Sequence, residues 1–212
     1  MLSSTFERKA FTLLTCLFIS SLVIAAVLST KIISIFGFYA PAGVLAYSLT
    51  FIASDIISEV WGKERANEVI HCGFIALLAA ICLSWAALNW TPAPFWTGQD
   101  GFASVLANTP RIVLASLIAY AISQKYDVWM FHLLRNKTDG KHLWLRNNLS
   151  TMTSQLIDSS IFVLIAFYGI MPVTEIIIGQ WMAKTAIALL DTPLVYLGVS
   201  VLKKQDKLCA TA

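Results

Sequence analysis

Five ionisable side chains, Asp55, Glu59, Asp158, Lys184 and Asp191, fall inside apolar runs long enough to cross a lipid bilayer. A charge at the centre of a membrane helix costs roughly 2.5–3.5 kcal/mol on insertion scales. A chain that only filled lipid would gain nothing from such groups, so they point to a polar pathway through a helical bundle. Their spacing adds to this. Asp55 and Glu59 are four apart, Thr151, Gln155, Asp158 and Phe162 follow one helical stripe, and Lys184 and Asp191 stand two turns apart. Gln124 and Asp127 fall at a similar depth on a fourth run. Several helices with polar stripes in one slab, from the midplane towards the cytoplasmic side, read as a lined cavity that holds a small polar molecule. The blander alternative is that Lys184 only neutralises Asp158 or Asp191 as a packing pair, a weak source of stability compared with apolar side chains. Ser150, Thr151 and Ser154 have a structural alternative too, since such hydroxyls often bond backbone carbonyls or join membrane helices.

The elements that must position these groups follow from composition. Of 212 residues 58% are apolar and 13% charged, against about 25% charged in a soluble domain. The mean hydropathy is +0.73. The reading is an all-α membrane protein, a single integral domain over 1–212, with no mass left for a separate catalytic or nucleotide-binding domain. Six segments are long enough to span the roughly 30 Å hydrocarbon core: about 10–30, 40–60, 67–89, 109–134, 148–170 and 174–202. The run from Ala10 to Thr30 is uncharged, longer than the apolar core of a leader peptide, and reads as the first span.

The loops sort by charge. Arg8, Lys9, Lys63, Arg65, Arg135, Lys137, Lys141, Arg146, Lys203, Lys204 and Lys207 all fall on one side of such a six-span plan. The other side carries Lys31, Asp100, Glu175 and Arg111. The excess of Lys and Arg puts both termini in the cytoplasm. Trp85, Trp90, Phe95 and Trp96 cluster where the third span should leave the outer face, as an interfacial aromatic belt does. Gln99 to Leu106 is expected as a short interfacial helix. Three spans per half would suit an inverted repeat, although no residue-level match joins the halves. Cys16, Cys72, Cys82 and Cys209 form no CxxC pair and read as small apolar fillers plus one tail thiol. The net charge of +3 is no nucleic-acid signal, because the basic residues collect at helix ends.

Several separated stretches resemble one family. Tyr47-Ser48-Leu49-Thr50-Phe51 leads into Asp55-Ile56-Ile57-Ser58-Glu59-Val60-Trp61-Gly62, which is similar to the D-I-I-x-E-x-x-G signature of the queuosine precursor transporters, a branch of the vitamin uptake transporters. Pro110-Arg111-Ile112-Val113-Leu114-Ala115-Ser116, continuing to Tyr120–Gln124 and Asp127, is similar as well. So are Leu143–Thr151 with Gln155 and Asp158, and Lys184 with Asp191-Thr192-Pro193. The resemblance covers about 36–196. It implies import of 7-cyano-7-deazaguanine and 7-aminomethyl-7-deazaguanine across a bacterial inner (plasma) membrane by a multi-pass carrier. It also implies a likeness to the substrate-binding subunits of energy-coupling-factor transporters, without need of their ATPase module.

The chemistry of such a base suits these residues. A carboxylate accepts two adjacent N–H donors bidentately, as acidic side chains read a nucleobase donor edge. Asp55 or Asp158 is expected to do so, with Glu59, Gln124, Gln155, Lys184 and Asp191 completing a substrate site. Lys184 or a backbone N–H would serve the carbonyl oxygen. Phe51, Phe162 and Trp181 are expected to stack on the ring. The aminomethyl form is a cation and would favour an excess of carboxylates. Arg111, Asp127 and Asp191 are expected in gating or proton relay, Asp191 because Pro193 beside it frees backbone and offers a hinge. No metal or cofactor is expected, and partners reduce to the small molecule and membrane lipid, with a homo-oligomer compatible.

Other classes stand as rivals. The chain could be a binding subunit dependent on a separate ATPase module, or a carrier of another small heterocyclic vitamin or base. An enzyme is disfavoured: His71, His132 and His142 lie near cytoplasmic helix ends, and neither HExxH nor GxSxG occurs. A channel is disfavoured because mixed acidic and basic groups suit a closed site better than a single-sign ring.

Overall fold

The computed structural model describes residues 5–137 and 143–210. The side chains at 5, 63, 124, 127, 128, 131, 132, 135–137, 143–148, 188, 189, 191, 192, 196 and 203–210 lie outside that description. The chain runs α1 (Thr5–Leu28), β1 (Ile32–Ile35), β2 (Phe38–Pro41), α2 (Gly43–Trp61), α3 (Lys63–Asn89), α4 (Gln99–Leu106), α5 (Thr109–Lys137), α6 (Leu143–Phe167) and α7 (Val173–Ala210). The six long helices match the six expected runs, and α4 is the expected short helix. Among the described residues, five segments are long and apolar enough to cross a membrane: Phe6–Leu28, Gly43–Trp61, Glu64–Asn89, Gln99–Ser123 and Leu149–Phe167. The expected sixth falls in α7, where the described residues include the apolar stretch Pro193–Leu202.

Two groups of three helices share the core. Phe18, Ala53, Ile57 and Val69 knit α1, α2 and α3 together. Ile112, Phe162, Val163 and Ile176 do the same for α5, α6 and α7. Ala26, Leu77 and Val113 join the two groups across α1, α3 and α5. Large apolar side chains such as Leu13, Ile75 and Leu83 point outwards, as lipid-facing residues do when the solvent is hydrocarbon. Trp85, Trp90, Phe95 and Trp96 are exposed together near the end of α3 and beyond it, where the aromatic belt was expected. Thr15, Thr50, Ser54, Ser116 and Ser154 return their hydroxyls to carbonyls three or four residues back, which satisfies them without water.

The β-hairpin was not foreseen. β1 and β2 pair antiparallel with Ile35 opposite Phe38, which leaves a two-residue turn of Phe36 and Gly37. Both have positive φ, 49° and 86°, as the primed turns of tight hairpins require. The sequence carried the signal: Ile-Ile-Ser-Ile and Phe-Tyr-Ala are β-prone runs separated by two residues, the second a glycine. The first loop is therefore structured, and Ile32 packs into the α5–α6–α7 core.

Two glycines fix how the elements meet. Gly62 is the whole joint between α2 and α3 at φ 88°, its N–H bonded to the Ser58 carbonyl at 3.0 Å. A side chain there would be strained. The joint also moves the start of α3 to Lys63, ahead of the expected 67. Gly179 on α7 faces the backbone of Tyr39 so closely that a Cβ would overlap it, and β2 seats directly on α7 there. Helix α7 continues through Pro193 without a break.

Candidate functional site

A cavity of about 140 Å³ lies at the meeting point of all six long helices and β2. Engineered core cavities of similar size take up one benzene ring, so the scale suits a small flat molecule. Asp158 and Lys184 stand in its wall and form an ion pair. Asp158 sits nine residues before the end of α6 and Lys184 eleven residues into α7, which is about 14 and 17 Å of helix rise. Both therefore stand two to three turns or more inside their helices. Lys184 is buried, and its Nζ lies 5.4 Å from the centroid of the Tyr47 ring, close enough for a cation–π attraction. Ser123 Oγ donates to Asp158 Oδ1 at 3.3 Å.

The rest of the wall is aromatic and hydroxylic. Tyr47 meets Phe51 edge to face at 5.0 Å. Tyr120 meets Phe74 in the same way at 5.4 Å. Phe162 closes the α6 side, and Thr50, Ser54 and Ser116 add polar points. An apolar slot with a few convergent polar groups is the usual make-up of a small-molecule site. A buried opposite-charge pair also keeps an empty cavity neutral, which limits the cost of burying either charge alone.

Of the residues singled out from sequence, Asp158, Lys184, Phe51 and Phe162 come together in this wall. Asp55 and Glu59 do not. Both are exposed on α2, outside the cavity lining, because Tyr47, Thr50, Phe51 and Ser54 occupy the inward face of that helix. Four-residue spacing puts Asp55 and Glu59 on one face, but a different one. Gln155 is half-buried on α6 and is not in the lining. Trp181 also stands outside the cavity and donates its indole N–H to the Met152 carbonyl at 3.2 Å, tying α7 to α6. Arg111 donates from Nε to the Ile165 carbonyl at 2.6 Å and from a terminal nitrogen to the Tyr168 carbonyl at 3.2 Å. It thus caps the negative end of α6, a structural tie that explains a cation on the sparsely charged side. Gln124, Asp127 and Asp191 lie outside the described side chains.

Sequence reasoning missed Tyr47, Tyr120, Ser123 and Gln180 as site residues. Gln180 lines the cavity four residues before Lys184, on the same face of α7. That spacing was readable, but a lone glutamine draws less notice than a charge. Among the described residues no group of three or more His, Cys, Asp or Glu is close enough to hold a metal ion.

Comparison with known proteins bears on the same residues. The family model of putative vitamin uptake transporters matches residues 41–198, which include every cavity residue from β2 to α7. A Bacillus subtilis protein named probable queuosine precursor transporter is 31% identical over 181 residues, covering 84% of this chain and 79% of that protein. The queuosine precursor transporter of Escherichia coli is 29% identical over 64% of this chain and 59% of its own length. A probable queuosine precursor transporter of Haemophilus influenzae is 27% identical over 63% and 54%. No solved structure gives a significant match. With three quarters of its length matched, and with membrane-spanning helices gathered round a buried charged pair, the chain belongs to the vitamin uptake transporter family.

Proposed function

We propose that the chain imports a queuosine precursor, a 7-deazaguanine base, across the bacterial plasma membrane and binds it in the cavity beside Asp158 and Lys184. The observation that carries this reading is the buried ion pair in the wall of a cavity sized for one flat molecule. Relatives named for this cargo supply its chemical class. Asp158 accepts the two adjacent donors of the guanine-like edge. Lys184 donates to the neighbouring ring carbonyl. The bound base then replaces the contact that each charge makes with the other, so neither is left unpaired. Tyr47, Phe51 and Phe162 enclose the ring.

The charge of the site argues for a preference. Among the described residues the cavity holds one carboxylate and one ammonium, with Asp55 and Glu59 outside. A neutral cavity favours the neutral 7-cyano base over the cationic 7-aminomethyl base, the reverse of what an excess of carboxylates would give.

The proposed topology has six spans in a single integral domain with both termini cytoplasmic, α7 being the sixth span. The role is transport, not catalysis. The test is uptake of radiolabelled 7-cyano-7-deazaguanine by the purified chain in proteoliposomes. Uptake above empty vesicles, competed by 7-aminomethyl-7-deazaguanine only at higher concentration, is expected. Binding without uptake would favour a subunit that needs an ATPase module, and absence of binding would overturn the assignment.

A further inference from the structure

Four buried side-chain polar atoms lack a hydrogen-bond partner among the described residues: Trp61 Nε1, Gln155 Oε1, Ser159 Oγ and Gln180 Oε1. Buried polar atoms are nearly always paired, so each such atom calls for a reason. Only Gln180 belongs to the cavity wall. It is 5% exposed, so bulk water does not serve it. Its neighbour Gly179 is the point where β2 seats on α7, which holds that turn of the helix in place. Lys184 follows one turn later on the same face, so the two side chains bracket about 6 Å of wall.

We infer that Gln180 is a specificity-determining residue whose carbonyl oxygen accepts a hydrogen bond from a ring N–H of the bound molecule. This rests on the function proposed above and adds a second reading point to it. Asp158 takes one pair of donors, and Gln180 takes a separate N–H about one helical turn along the wall. The ligand class is thereby narrowed to planar bases with N–H donors at two separated places on the ring system. A site with a buried acceptor waiting for a donor rejects an analogue that lacks it far more strongly than an apolar wall rejects a changed shape.

The test pairs protein and ligand changes. Binding of 7-cyano-7-deazaguanine to the purified full chain is compared with binding of analogues methylated in turn at each ring nitrogen that carries hydrogen. In the wild type, blocking either N–H is expected to weaken binding at least tenfold. In Gln180→Met, the unmodified base binds at least tenfold more weakly and the penalty for one methyl group disappears. The penalty for the N–H read by Asp158 persists. Gln180→Asn keeps the amide but withdraws it by one methylene, and gives the same comparison if the methionine variant does not fold. Penalties that stay unchanged in the variant would overturn the inference while leaving the cargo assignment standing. Failure of the wild type to bind the unmodified base would overturn both.

Discussion

Asp158 and Lys184 were legible as polar residues on apolar helices, and of the stripe read on α6 Asp158 and Phe162 face the cavity while Gln155 does not line it. What sequence did not carry was which partner each would choose. Helical periodicity fixes a residue's direction round its own axis but not the rotation of one helix against another. That rotation turns Asp55 and Glu59 outwards and brings Tyr47 and Thr50 in. The pair makes a stability prediction. Removing one member leaves the other buried and unpaired, which typically costs about 3–5 kcal/mol. Asp158→Asn and Lys184→Met are each expected to lower the melting temperature in detergent, whereas the double variant recovers most of the loss. All three are expected to abolish binding of the base. A double variant no more stable than the singles would show that the two charges do not depend on one another.

At the scale of elements, the six long helices and α4 were readable because apolar length and loop charge are strong local signals. The hairpin was passed over because its strands have only four residues each and lie between two spans, where a loop is the ready assumption. The start of α3 was missed because one glycine can replace a whole connecting loop. The seating of β2 on α7 predicts that Gly179→Leu displaces the hairpin. The variant is expected to lose stability by about 1–3 kcal/mol, the usual cost of overpacking, and to bind the base at least tenfold more weakly through Pro41 and Gln180. Thermal melting together with ligand titration checks this, and an unchanged titration would separate the hairpin from the site. Gly101→Ala, on α4 where a Cβ meets open space, serves as the control.

For the whole molecule, the distribution of Lys and Arg predicts an orientation, and Arg111, one of two cations assigned to the sparsely charged side with Lys31, has a structural reason to be there. Its guanidinium is tied to the end carbonyls of α6, so it acts less as a free surface charge than its type suggests. The proposed arrangement predicts that a phosphatase active only outside the cytoplasm is inactive when fused after residue 202 and active when fused in the 90–98 segment. Activity at both points would remove one span from the plan. The position of the cavity, with all six long helices in its wall, was not readable from any single helix, since each contributes only a few residues to it.

The hairpin has a mechanical corollary. Its strands bond to each other, and the Ala42 N–H closes back on the Lys31 carbonyl at 2.7 Å. The facing edges of its two strands are thus paired within the hairpin itself. What holds it to the helices, at Ile32 and at the Tyr39–Gly179 contact, is close packing. A cork of this kind could rise from the neck of the bundle as one stiff piece, trading contact area alone, while its own rungs stay intact.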